Sequence, residues 1–428
     1  DSPFVRASPR WRRRDEVKTA AVATDPKFRR GPGVRFALMR AFSDDERRVR
    51  LARRHHLTSD SPPASVETLA GNLVGLHATD PATPYLSLWA RVPGFVVADL
   101  DDEVYQRRTM VRQLAMRRTL WLVPASGLAA VQPGASDRVA ANETRRLIAD
   151  VEKAGVAPDG ALWLDTAAAA VLAHLDDHGA AGSAELRAAL PQLEGMYDPA
   201  PGKRWGGPTP LAPRVLTVLS VRGDILRGPN DGGWTSSRPR WVRTDSWLDS
   251  TVEPLAVEAA QAELVRAWLR AFGPATLADV TWWFGSTLTA ARRALATVGA
   301  VEVQLTGTGG YVLPEDLEPV PAPPPWAALL PGLDVTTMGW TDRDWYLGEH
   351  RKQVFDNNGN AGPTAWWNGR VVGGWCQDNT GRVQLQLLED PGRDGRKALA
   401  RKADELTDWL GGVRVKPRFP SPLSKSAG

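Results

Sequence analysis

Between residues 254 and 314 the apolar positions first follow a helical period and then a strand's period of two. A helix is predicted over 254–271, stopped by Gly273-Pro274. Thr276-Leu277-Ala278-Asp279 opens a short helix that ends at Gly285. A third helix over 288–298 ends at Gly299, a residue suited to the left-handed position after a helix. Residues 300–305 then alternate as a strand, turn through 306–310 and return over 311–314. The order recurs over 161–248: a helix over 165–178 ending at Gly179, a short helix opened by Ser183, a helix over 211–222 stopped by Gly223, and strands at 224–227 and 234–243. A looser copy fits 43–125, with helices at 43–56, 65–76 and 82–92 and strands at 110–116 and 119–123.

Helix, turn, helix, helix, hairpin is the order of a winged helix. The pattern therefore predicts an α+β chain of three tandem winged-helix units, at 39–160, 161–250 and 251–318, repeating an architecture without repeating sequence. Past the prolines at 319, 321 and 323–325, residues 326–428 form a β-rich C-terminal unit. Its hairpin turns at Asn368-Gly369, a strand covers 382–388, and a closing helix covers 396–410.

Composition narrows the class. The chain has 428 residues, 43% of them hydrophobic, and no apolar run near the ~18 residues that suggest a membrane helix. One cysteine, Cys376, leaves no intramolecular disulfide and no cysteine-based zinc site, which suits a cytoplasmic protein. The formal charge of +4 is misleading, because residues 1–38 hold ten basic and four acidic side chains. The remaining 43 basic and 45 acidic residues sum to −2, so a basic surface would have to be local. Residues 1–38 lack any period and read as a disordered basic tail. It is either a nucleic-acid-binding arm or an extension upstream of a start at Met39.

Several constellations carry chemistry on paper. His174 and His178 stand four apart on a helix, the spacing of a zinc pair, but without the glutamate of H-E-x-x-H or an evident third ligand; a solvated helix end is the plainer reading. No phosphate-binding loop of the G-x-x-x-x-G-K-[ST] kind and no G-x-S-x-G occurs. Arginine outnumbers lysine 44 to 9, and guanidinium forks suit DNA phosphates. Candidate DNA contacts are Arg53 and Arg54 on the first helix, Arg117 and Arg118 in the first hairpin, Arg238 and Arg240 on the second wing, and Arg292 and Arg293 on the third unit's last helix. Of the 18 tryptophans most belong to the core, with one or two free to stack on bases.

The run Gly75-Leu76-His77-Ala78-Thr79-Asp80-Pro81, followed by Tyr85 and Leu88-Trp89-Ala90-Arg91, resembles a motif of the AlkZ/YcaQ-like winged-helix DNA glycosylases. So do Met116-Arg117-Arg118-Thr119-Leu120, Arg204-Trp205-Gly206-Gly207, and Phe272-Gly273-Pro274-Ala275-Thr276 with Trp282-Trp283. Trp345-Tyr346-Leu347-Gly348, Gly359-Asn360-Ala361-Gly362-Pro363-Thr364 and Gly369-Arg370-Val371-Val372-Gly373 extend the likeness over roughly residues 40–410. The resemblance implies three winged helices packed in a C shape around a basic DNA channel, and excision of bulky alkylated purines from double-stranded DNA. The family's catalytic motif is Gln-Φ-Gln or Gln-Φ-Asp, with Φ apolar; the matching positions here read His77-Ala78-Thr79.

An alkylated purine is already cationic and leaves without a strong acid, so the task reduces to orienting the nucleotide and a water. His77, expected at the C-terminal end of the 65–76 helix, would hold that water or act as base. Thr79 would hydrogen-bond a water or phosphate, and Asp80 would replace the motif's acid by a one-residue shift. Against these stand plainer roles: His77 finishing an apolar stripe, Asp80 capping the next helix. The expectation is a monomeric glycosylase with no metal or organic cofactor and no membrane association. The alternatives are a non-catalytic DNA-binding protein (a lesion sensor or regulator) and a protein-binding use of the same scaffold.

Overall fold

The computed structural model describes residues 39–204, 206–248 and 252–425; the basic tail and Trp205 of the Arg204-Trp205 motif lie outside them. The fold mixes helix and sheet throughout. Ser43 caps the first helix, Asp44–Arg54, by accepting from the Glu46 amide at 3.2 Å, and Ser65 caps Val66–Asn72. The expected 65–76 helix is corrected here. It stops at Asn72, because Val74 and Gly75 turn with positive φ (60° and 109°) and send Leu76–His77 into a strand. That strand pairs antiparallel with Leu120–Pro124, which pairs in turn with Met110–Leu114. The 43–56 helix also ends early, at Arg54, and His56 takes a left-handed turn (φ 53°).

After the linking helix Asp137–Lys153, the second segment runs Gly160–His178, Ser183–Ala189 and Ala212–Arg222. Its strands are Ile225–Asn230 and Pro239–Arg243, so the pairing begins later in both than the alternation implies. Ala181–Gly182 adds a third strand. The third segment keeps closest to its pattern: helices Val257–Phe272, Leu277–Phe284 and Leu288–Thr297, then the hairpin Val301–Leu305 with Thr308–Val312. Gly223 and Gly285 both adopt the left-handed cap. The C-terminal segment is a four-stranded antiparallel sheet, Ala327–Leu330, Thr364–Trp367, Arg370–Gln377 and Val383–Leu387 in order, closed by the helix Gly392–Leu410. No described helix is long and apolar enough to cross a membrane.

The core ignores the segment boundaries. One hydrophobic cluster runs from Leu51 through Trp121, Trp268, Trp283 and Trp340 to Val371, joining the first, third and C-terminal segments. A fully buried ion pair stitches the same junction: Arg91 donates to both oxygens of Asp334 (3.0 and 2.7 Å), to Thr336 Oγ1 and to the His55 carbonyl. The second segment has a separate core of Leu164, Val171, Leu216, Leu219, Ile225 and Trp241, among others.

Candidate functional site

Gly75 explains why the motif strand lies where it does. A Cβ there would come within 2.9 Å of Val123 and 3.2 Å of the Leu122 carbonyl, so only glycine lets the strand approach Leu120–Pro124. His77 then stands opposite Trp121, its ring centroid 5.2 Å from the indole. The side chain is 4% exposed. Burial, helped by the nearby Arg117 guanidinium and opposed by Asp334, pushes the imidazole down to about 3. It is neutral at physiological pH.

Nδ1 of His77 faces the Thr79 amide at 3.4 Å. An amide N–H only donates, so this contact places the ring proton on Nε2, which has no hydrogen-bond partner among the described residues. Thr79 Oγ1 accepts from the Leu120 amide at 3.2 Å. Asp80 is buried, and both carboxylate oxygens are occupied, Oδ1 by the Ala82 amide (3.1 Å) and Oδ2 by the Arg418 amide (2.8 Å). Burial raises its pKa against those two bonds. Asp80 therefore anchors the turn and the C-terminal chain.

On the His77 side of the strand, Trp121 packs on Trp283 at 5.2 Å, and Arg117 lies 4.0 Å from the Trp282 centroid. Burial, then Arg343, lowers the Arg117 guanidinium to about 9. Ala78 points the other way, as alternate strand residues do, into a small cavity lined by Tyr85, Tyr105, Arg112, Arg227 and Trp234. Arg112 donates to the Tyr105 hydroxyl at 3.0 Å. Arg227 stacks over Trp241 and is lowered to about 10 by burial and then by Arg112 and Arg418. Arg418 also donates to the Thr79 carbonyl at 3.3 Å. Sequence reasoning missed Arg112, Arg227, Arg343 and Arg418, since they reach the motif only through the fold.

The expected DNA contacts divide. Arg53 holds the Pro321 carbonyl and Asp60, and Arg54 holds the Gly273 carbonyl and Asp316, so both already serve internal joints. Arg118 is exposed but pairs with the buried Glu143, whereas Arg240 pairs with Glu185 and Arg293 with Glu258 nearer the surface. Arg238 and Arg292 are exposed and form no ion pair among the described residues. The His174 and His178 rings stack at 4.4 Å, and no cluster of three or more metal-ligating side chains occurs among the described residues.

The profile of the AlkZ-like DNA glycosylases matches residues 70–409, most of the chain. The chain belongs to the AlkZ-like DNA glycosylase family. Within it, an interstrand DNA cross-link repair glycosylase from Streptomyces sahachiroi is 30% identical over 171 residues, 38% of this chain and 45% of that one. The match thus spans less than half of that relative's length. The solved DNA glycosylase AlkZ of the same organism shares the fold, with a TM-score of 0.67 at 22% identity, over 88% of this chain and 99% of that one.

Proposed function

We propose that this protein hydrolyses the N-glycosidic bond of alkylated purines in duplex DNA. In this reading it acts as a cytoplasmic monomer without metal or organic cofactor, gripping DNA with three winged helices built from the three helix-and-hairpin segments. The observation that carries the reading is the motif strand. His77 is neutral, nearly sealed and left with one unpartnered N–H among the described residues, between two groups of arginines, and the motif's carboxylate, Asp80, is tied to two backbone amides.

Such a site lacks a general acid, which suits a leaving group that is already cationic. The nucleotide is turned out of the stack at a cost of a few kcal/mol, least for a damaged base. The neutral imidazole donates from Nε2 to a bound oxygen and positions it; this geometry favours positioning over the base role. Arg117, Arg238 and Arg292 supply cations without ion pairs, while Arg240 and Arg293 exchange weak surface pairs for phosphates, and Arg118 reaches them while holding the buried Glu143.

The test is incubation with duplex carrying N7-methylguanine, scoring free base and abasic strand. Wild type is expected to release base, His77→Ala about a hundredfold more slowly, and His77→Gln, which keeps a donor of similar reach, within about tenfold of wild type. Release at the uncatalysed rate with salt-dependent binding retained would instead establish the non-catalytic DNA-binding reading.

A further inference from the structure

We propose that Arg117 and Arg343, both laid on the Trp282 ring, seat one backbone phosphate of the strand whose nucleotide faces His77; the inference rests on the glycosylase reading above. The Arg343 guanidinium lies 5.2 Å from the Trp282 centroid and 4.6 Å from that of Phe355, and its residue is 3% exposed. Arg117 lies 4.0 Å from Trp282 and 5.5 Å from Trp283. Nε of each is buried without a hydrogen-bond partner, and neither forms an ion pair among the described residues; Arg343 is held by the Tyr346 hydroxyl and faces Asp279, whereas only burial and Arg343 act on Arg117. Two like charges brought to one indole favour an anion that both can hold.

The backbone is bent to aim the first of them. Arg117 is left-handed (φ 55°, ψ 23°), and so is Arg118 (φ 61°). Consecutive non-glycine residues in that region are strained, and such strain persists where the surroundings impose it. Trp121 Nε1 imposes it by donating to the Met116 carbonyl at 3.2 Å, the indole that also packs on His77.

The reaction makes the anion necessary. Bond cleavage builds positive charge on the sugar, and an uncompensated guanidinium beside it opposes that charge. A phosphate between Arg117 and Arg343 cancels that opposition and fixes the nucleotide by its backbone. A phosphodiester also matches the guanidinium fork.

Duplexes in which the linkages flanking the lesion are replaced one at a time by neutral methylphosphonate provide the test, with affinity measured by fluorescence anisotropy. Wild type should lose roughly tenfold or more at one linkage. Arg117→Gln and Arg343→Gln should bind the native duplex that much more weakly and lose nothing further on neutralisation at the same linkage. Urea melts identify a misfolded Arg343 variant, in which case Arg117→Gln carries the result. Equal losses in variants and wild type at every linkage overturn the seat. Base release without any neutralisation effect overturns it and spares the glycosylase reading; the effect without base release does the reverse.

Discussion

His77 and His55 are both buried imidazoles held to about 3, each chiefly by loss of solvent. His55 is enclosed by Thr336, the Ala271 carbonyl and the Phe272 and Trp340 rings. In the unfolded chain each takes a proton near pH 6.5, and in the folded chain only near 3. Between those values the unfolded state binds more protons. The stability these two neutral rings contribute is therefore full above pH 6.5 and is lost as pH falls toward 3. Urea unfolding between pH 7 and 4.5 should show stability falling by up to about 1.4 kcal/mol per pH unit for each histidine. His77→Gln should remove one proton from that slope. A slope unchanged by the substitution would mean that His77 is protonated in the folded protein. The same neutrality predicts that base release has no inflection near pH 6.5. Nothing local signals the burial of His55, because the groups that enclose it lie more than 200 positions away.

Local signals were legible where a cap or turn is built from neighbours in the chain. Thr276 and Asp279 form the box the T-x-x-D spacing implies: Thr276 Oγ1 accepts from the Asp279 amide, and Asp279 Oδ2 accepts from Thr276 N (2.9 Å) and Oγ1 (2.8 Å). The other half of Asp279 was not legible. Its Oδ1 accepts from Thr341 N and Oγ1, both at 2.7 Å, so a helix cap also holds the chain two residues before Arg343. The Leu76–His77 strand was misread for the same reason, since its partner Trp121–Leu122 lies about 45 positions on and no two-residue strand has a period of its own. On the first helix Arg47 and Arg50 are buried, over the Trp345 and Phe42 rings, which no local pattern signals. Asp279→Asn should separate the two functions of that side chain. One end of the amide must face donors with an N–H₂, costing about 3 kcal/mol in urea unfolding, and affinity for duplex DNA should drop as Arg343 loses its anchor. Full stability in this variant would show that the four bonds are not holding the junction.

At the scale of the whole molecule, the expected division into consecutive units meets a core that runs through three of them. The Arg91–Asp334 pair lies inside that shared core, where burial raises the carboxyl but Arg91 and its hydrogen bonds more than offset this and hold it below its ordinary value. The second segment stands apart. Its apolar cluster is its own, and its ties to the rest include polar contacts such as Gln132 to the Val221 carbonyl (3.0 Å), Gln113 to the same oxygen (3.4 Å) and Arg222 to Thr144 (3.2 Å). Leu226 and Val242 are its buried residues within the main cluster. Polar ties contribute about 1 kcal/mol each, far less than a continuous apolar core, so the two bodies need not open together. Native-state hydrogen exchange in rising urea should release amides of 160–243 at a lower opening free energy than those of 51–135 and 260–371. A single common opening would mean that the Leu226–Val242 contact couples the cores fully. The difference bears on function: the second segment carries Arg227 and the Asn230–Trp234 side of the cavity beside Ala78. A segment that opens cheaply can admit a duplex past that cavity while the shared core keeps His77, Trp121 and Trp283 in register. Bound DNA should therefore raise protection in 160–243 more than in the shared core.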